Sequence, residues 1–189
     1  MKPTDQLVEE HNAIKLVLRV LDKICIKLEN NEIINPEVLD SIIDFIKIFA
    51  DKCHHGKEED LLFSAMEKSG IPRESGPIAV MLQEHKIGRE YVGGLTKGVN
   101  KYKSASSATQ EIIATQVIIK NARGYISLLS QHIEKEDNIL YPMANKHISE
   151  EEQQILLKDF EIVERERIGP GKHEKYHALL KKLQEDFLS

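Results

Sequence analysis

A ten-residue pattern occurs twice in this 189-residue chain, and it restricts the fold to helices that face one another. The first copy is His54-His55-Gly56-Lys57-Glu58-Glu59-Asp60-Leu61-Leu62-Phe63. The second is His132-Ile133-Glu134-Lys135-Glu136-Asp137-Asn138-Ile139-Leu140-Tyr141. Both read His, two residues, Lys, Glu, acid, two residues, Leu, aromatic. The His stands four residues before the Glu, and residues four apart share one face of a helix. An imidazole and a carboxylate aimed the same way form half of a metal site.

The surrounding sequence has helical periodicity almost throughout. Leu7, His11, Ile14, Leu18, Leu21, Cys25 and Leu28 form one stripe of a first helix, Asp5 to about Glu29. Asn35 with Pro36 reads as an N-cap followed by a first-turn proline. That opens a second helix to about Lys68, with Gly70 just past its end. A third helix is predicted from about Pro77 to Tyr102 and a fourth from about Gln110 to Lys146, bent near Pro142. Ser149 and Glu152 suggest a capping box for a fifth helix to Arg167. A sixth follows Gly169-Pro170-Gly171 and covers Lys172 to Phe187. The expected fold is all-α: an up-down-up-down four-helix bundle (residues 4–147) with one or two additional C-terminal helices (149–189), forming a single domain.

Composition agrees. Charged residues make up 30% and aromatics 5%, with no Trp, which suits a helical protein better than a sandwich. A formal charge of -5 and the lack of a Lys/Arg cluster argue against nucleic acid. No apolar run approaches the ~20 residues of a membrane span. Met1 to Glu10 has no apolar signal core. Cys25 and Cys53 are too few for a disulfide scaffold, so a reducing cytoplasm is expected.

The duplication is wider than the ten-residue pattern. Glu10-His11 in helix one is matched by Glu84-His85 in helix three. Two helical hairpins would therefore bring His11, His54, Glu58, His85, His132 and Glu136 to one level of the core. Two carboxylates buried there would repel each other and take up protons, and a pair of divalent metals removes both penalties. In helix two, His54→Glu58 and His55→Glu59 have the same spacing. Alignment of the copies selects His54 and Glu58, because Glu58 and Glu136 each precede an aromatic by five residues. His55 and Glu59 are then read as solvated or as supporting the ligands.

With these residues the chain resembles the hemerythrin-like (HHE cation-binding) proteins from Leu7 to Lys146. The matching residues are His11, His54-x-x-x-Glu58, His85 and His132-x-x-x-Glu136. The resemblance implies a non-haem di-iron centre, two Fe ions with an oxo or hydroxo bridge and bridging carboxylates. It also implies a small diatomic ligand, O2 or NO, or a peroxide. Manganese or zinc suits the same donors. The oxygen carriers of this family have a fifth His where this chain has Met81. His173 and His177, four apart in the last helix, are candidates to replace it, and Tyr176, Glu10 and Glu84 are candidates to support ligands by hydrogen bonds. Two functions follow: a di-iron protein with oxidoreductase, peroxidase-like or NO-reactive chemistry, or an iron- or redox-sensing regulatory protein. His173-Glu174-Lys175-Tyr176-His177 also fits a zinc-protease pattern, but only 12 residues follow it and no third ligand is evident.

Overall fold

The structure, a computed structural model, describes residues 1–169 and 171–188, with His173 described by its backbone alone. Helix α1 spans Pro3–Glu29. Helix α2 is continuous over residues 36–68. Asn35 caps it by accepting from the Glu37 N–H at 3.0 Å, with Pro36 at the first helical position. Helix α3 is Gly76–Ser104, and α4 is continuous over residues 108–147. Helices α5 (Glu150–Arg167) and α6 (Lys172–Leu188) follow. No strand occurs among the described residues, and the chain is an all-helical bundle.

Two of these helices are not uniformly α. Helix α2 widens to i→i+5 winding over Ile46–His55 and again over Glu58–Leu62. Helix α4 widens over Glu136–Leu140. The second and third of these segments are the same five positions of the repeated pattern, so the duplicated sequence repeats an unusual backbone as well. Such wide turns are rare and gather at functional sites. Helix α4 passes Pro142 directly after its wide turn, as part of Tyr141–His147, and the chain does not break there.

Helices α3 and α4 lie along one another, and α1 packs against α4, α5 and α6. Burial divides the interior into two apolar clusters. One contains Leu18, Leu21, Ile42, Phe45, Val92, Leu95 and Ile118. The other contains Leu7, Phe63, Met66, Met81, Tyr141 and Phe160. Between them lies a layer of buried polar groups on α1 to α4.

Helix α5 is fastened to α2 through a single buried ammonium. Lys57 is fully buried, and its Nζ donates to Glu10 of α1 at 2.6 Å and to Glu164 of α5 at 3.1 Å. Phe160 lies 5.7 Å from the same Nζ. Arg167 crosses over Gly56 and donates to the Lys52 carbonyl at 2.9 Å. A Cβ at Gly56 would stand 1.8 Å from the Arg167 guanidinium, so a larger residue there would push that side chain aside. Replacing Lys57 with Met is expected to destabilise the protein by about 3 kcal/mol, because it leaves Glu10 and Glu164 without their shared cation. Chemical unfolding by urea measures this, and a change within error of zero would contradict it.

Candidate metal centre

The polar layer contains five imidazoles and two carboxylates, all at most 4% exposed: His11, His54, His55, His85, His132, Glu58 and Glu136. They form two adjoining groups. His55, Glu58, His85 and His132 make one, and His11, His54 and Glu136 the other; within each group the ligand atoms lie within 4.8 Å of one another. The six residues expected from the spacing are thus brought to one place.

The seventh, His55, is expected from the sequence to be solvated or to support the ligands, and the structure excludes the first of these. His55 is 4% exposed and its ring stacks on His85 at 3.8 Å between centroids. Helix α2 is widely wound at Ile46–His55, and His55 faces α3 and α4 there, against the rings of His85 and His132. Alignment of the copies hid this, since the position matching His55 in the second copy is Ile133. The signal was the doublet His54-His55 itself, beside the missing fifth His at Met81. Met81 is a buried member of the apolar cluster beneath the layer.

The C-terminal candidates fare differently. His177 is exposed and belongs to neither group of ligand atoms. The side chain of His173 lies outside the described residues. Tyr176 donates to Asp44 at 3.1 Å and packs on Phe45, so it holds α6 to α2 and supports no member of the layer.

Each imidazole is oriented by a carboxylate behind it. His54 Nδ1 donates to Glu10 at 2.8 Å, His132 Nδ1 to Glu84 at 2.9 Å, His11 Nδ1 to Asp137 at 2.7 Å and His85 Nδ1 to Glu59 at 2.7 Å. His55 Nδ1 faces Asp51 at 3.4 Å. Each of these carboxylates is in turn held by a cation. Lys57 holds Glu10, Lys135 holds Glu84, Lys15 holds Asp137, and Arg89 holds both Glu59 and Asp51. Four of these chains form two pairs that obey the duplication. The Glu before His11 supports His54, and the Glu before His85 supports His132. The acid after Glu58 supports His85, and the acid after Glu136 supports His11. The Lys-Glu-acid of the repeat therefore supplies a cation, a carboxylate of the layer and an orienting carboxylate, in that order. An imidazole whose Nδ1–H is committed in this way presents its Nε2 lone pair inward, as a metal ligand must.

The inward-facing atoms are left in an arrangement that protein groups alone do not satisfy. His11 Nε2 and His54 Nε2 stand 3.0 Å apart, as do His85 Nε2 and His132 Nε2. In neutral rings whose Nδ1 is the donor, both members of each pair are lone pairs. Glu58 Oε2 and both Glu136 oxygens are buried without a hydrogen-bond partner. Glu136 directs Oε1 to His132 at 2.9 Å and Oε2 to His11 at 3.2 Å, and so reaches both groups. Glu58 Oε2 lies 3.5 Å from His85 Nε2 and 3.9 Å from His54 Nε2. Its Oε1 accepts from the Tyr141 hydroxyl at 2.7 Å. Five imidazoles and two carboxylates converging on unpartnered lone pairs fit a cation site.

Protonation shows how the chain copes without metal. Burial and the neighbouring Glu136 push Glu58 well above the usual carboxylate range, so it takes a proton. Burial and the adjacent rings His85 and His54 hold His55 well below its ordinary value and keep it neutral. Burial acts to lower His132 too, but Glu136 and Glu84 outweigh it and raise that ring to about 9. A folded value raised above 6.5 gives stabilisation that is complete below pH 6.5 and is lost as pH rises through 9. The metal-free protein should therefore show a lower urea midpoint at pH 9.5 than at pH 6.5. Metal loading near neutral pH should release protons, which an indicator dye detects. No release on loading would contradict the assignment.

The model of the hemerythrin HHE cation-binding domain matches residues 2–144, which contain every member of the layer. The chain belongs to the hemerythrin HHE family. Within the curated proteins, this hemerythrin-family chain is 23% identical over 165 residues to the uncharacterized proteins Mb2018 of Mycobacterium bovis and Rv1995 of Mycobacterium tuberculosis. The match covers 87% of this chain, and the chain spans 62% of the length of those relatives. No solved structure matches it. Membership of the HHE family and the two groups of buried donors agree that the layer is a cation site. No helix is long and apolar enough to cross a membrane among the described residues.

Proposed function

We propose that this protein holds two non-haem iron ions in the layer and binds or reduces O2, NO or peroxide there. The observation that carries the reading is the pair of Nε2–Nε2 approaches at 3.0 Å above a carboxylate that reaches both groups. Two iron ions would supply two electrons and an open coordination position side by side. The chain's part is to hold them. His55, His85 and His132 would hold one ion, His11 and His54 the other, with Glu58 and Glu136 spanning the two. Tyr141 stands between the two groups, its hydroxyl donating to Glu58 Oε1 and lying 3.3 Å from His11 Nε2. The apolar clusters on either side exclude water. The short connections fit an up-down-up-down order for the four helices that carry ligands, with the C-terminal pair as part of the same domain. Two buried free cysteines suit a reducing cytoplasm.

Metal analysis with anomalous scattering at the iron edge tests the content: two irons per chain are expected, and zinc or a single ion would refute the reading. Anaerobic reduction followed by O2 or NO should produce a new charge-transfer band. A spectrum that never changes would remove the reactivity.

A second reading, iron or redox sensing, draws on one observation. The chain His54–Glu10–Lys57–Glu164 joins a ligand to α5 in three contacts. Under this reading iron would be labile to mild chelation, and its removal would raise the proteolytic sensitivity of α5 and α6.

A further inference from the structure

A pocket of about 300 Å³ opens between α2, α3 and α4 and ends on His55. Its walls are Ile46, Gly88, Val92, Gly93 and Tyr125. At the mouth, Arg89 donates to Asp51 at 2.8 Å and to Glu59 at 2.6 Å, so its guanidinium is already committed to two carboxylates. The exposed Lys47 also borders the pocket, but the rest of the lining is mostly carbon, where a charged molecule would lose its hydration.

Two features mark this as space for a ligand and not a packing fault. Tyr125 is 3% exposed, lines the pocket, and its hydroxyl makes no hydrogen bond to any described residue. The hydroxyl keeps contact with the open space of the pocket, where it can donate to a molecule that enters. Burial, with Asp51 nearby, pushes that phenol above its ordinary value, so it remains a hydrogen-bond donor. The second feature is the wall of α3. A Cβ at Gly93 would meet nothing within 4 Å, although glycine in a helix interior is less favourable than alanine by about 1 kcal/mol. The glycine keeps open a space that nearly any other residue would narrow.

We propose that this pocket is the docking site and access route for a small, uncharged, largely apolar molecule with one hydrogen-bond acceptor, received by the Tyr125 hydroxyl. The role as an access route rests on the reading of the layer as a reactive metal centre; the docking itself does not. The molecule arrives beside His55, at the half of the centre with three imidazoles.

The test uses the full-length chain loaded with zinc, which is diamagnetic and redox-silent, and tert-butanol as the probe. The Gly93 amide and Tyr125 ring resonances should shift saturably. Tyr125→Phe should weaken binding about fivefold, the loss of one neutral hydrogen bond, and Gly93→Leu should abolish it. Acetate, the charged comparator, should give no saturable shift. Absence of saturable shifts with tert-butanol, equal binding by Gly93→Leu, or equal binding of acetate would overturn the docking site. If Gly93→Leu does not fold, the wild-type titration and Tyr125→Phe decide alone. In the reduced, iron-loaded protein, Gly93→Leu should slow the second-order reaction with tert-butyl hydroperoxide roughly tenfold at unchanged metal content. An unchanged rate would overturn the access route. A wild-type protein that reacts with none of O2, NO or peroxide would refute the proposed function and the route, while the zinc-loaded titration would still decide the docking.

Discussion

Glu58→Gln is expected to deplete the centre of metal and, in the metal-free protein, to raise stability by about 1–2 kcal/mol. The two effects have one cause. Glu58 and Glu136 are both fully buried, and three of their four oxygens lack a hydrogen-bond partner. With metal absent, that is two acids forced together, one of them kept protonated by the other. An amide at position 58 still accepts from Tyr141, as Oε1 does at 2.7 Å, and its NH2 can donate to Glu136. The electrostatic conflict is gone, and so is the anionic oxygen shared between His54 and His85. Metal content per chain and the urea midpoint of the metal-free protein measure the two sides. A variant that loads two ions normally would refute the role given to Glu58. One that loses metal and is also less stable would show that the carboxylate contributes to the fold in its own right.

His55→Ile is expected to reduce the metal content from two ions to about one. It makes the first copy of the repeat match Ile133 in the second and leaves each half with two imidazoles. The ion in the group of His11, His54 and Glu136 should remain, because none of those side chains depends on His55. The affinity of the other position should fall by more than the roughly 10–100-fold typical of losing a supporting residue, since a donor itself is removed. The helix should survive, because isoleucine enters a buried site, with His55 itself 4% exposed, that borders a largely apolar pocket. Quantitative metal analysis with competition by a chelator reads the result. Retention of two tightly held ions would mean that His55 is a packed histidine and no more.

The helices and most of the donor set were legible because they rest on periodicity. His11, His54, Glu58, His85, His132 and Glu136 each fall on an apolar stripe, and a stripe buried in a bundle can only point inward. The caps at Asn35 and Ser149 were legible for a local reason, since each side chain accepts from an N–H two or three residues on. His55 was not legible, because comparison of the copies selects His54 and no sequence pattern shows that the helix widens over Ile46–His55. Nor does any pattern in a single segment tell that α5 would cover the back of α2. The orienting carboxylates were half visible. Glu10 and Glu84 could be suspected as supports, but each crosses to the His of the other helix in its hairpin and not to its own neighbour. His177 was misjudged because its helix packs its apolar side, with Tyr176 and Leu183, against α1 and α2 and turns the imidazole outward.

The ammonium of Lys57 has a consequence for anyone who would trim this protein. The family match ends at residue 144, which invites a shortened chain. Yet Glu164 lies beyond that point, and so do Leu156 and Phe160, which are buried in the same cluster as Leu7 and Tyr141. Cutting there would strip the outer cover from the stretch of α2 that carries two of the five histidines. It would also leave a lysine that is now wholly enclosed facing water, released from one of its two anchors. The minimal unit that keeps this centre in shape is therefore larger than the shared domain, and the surplus is structural.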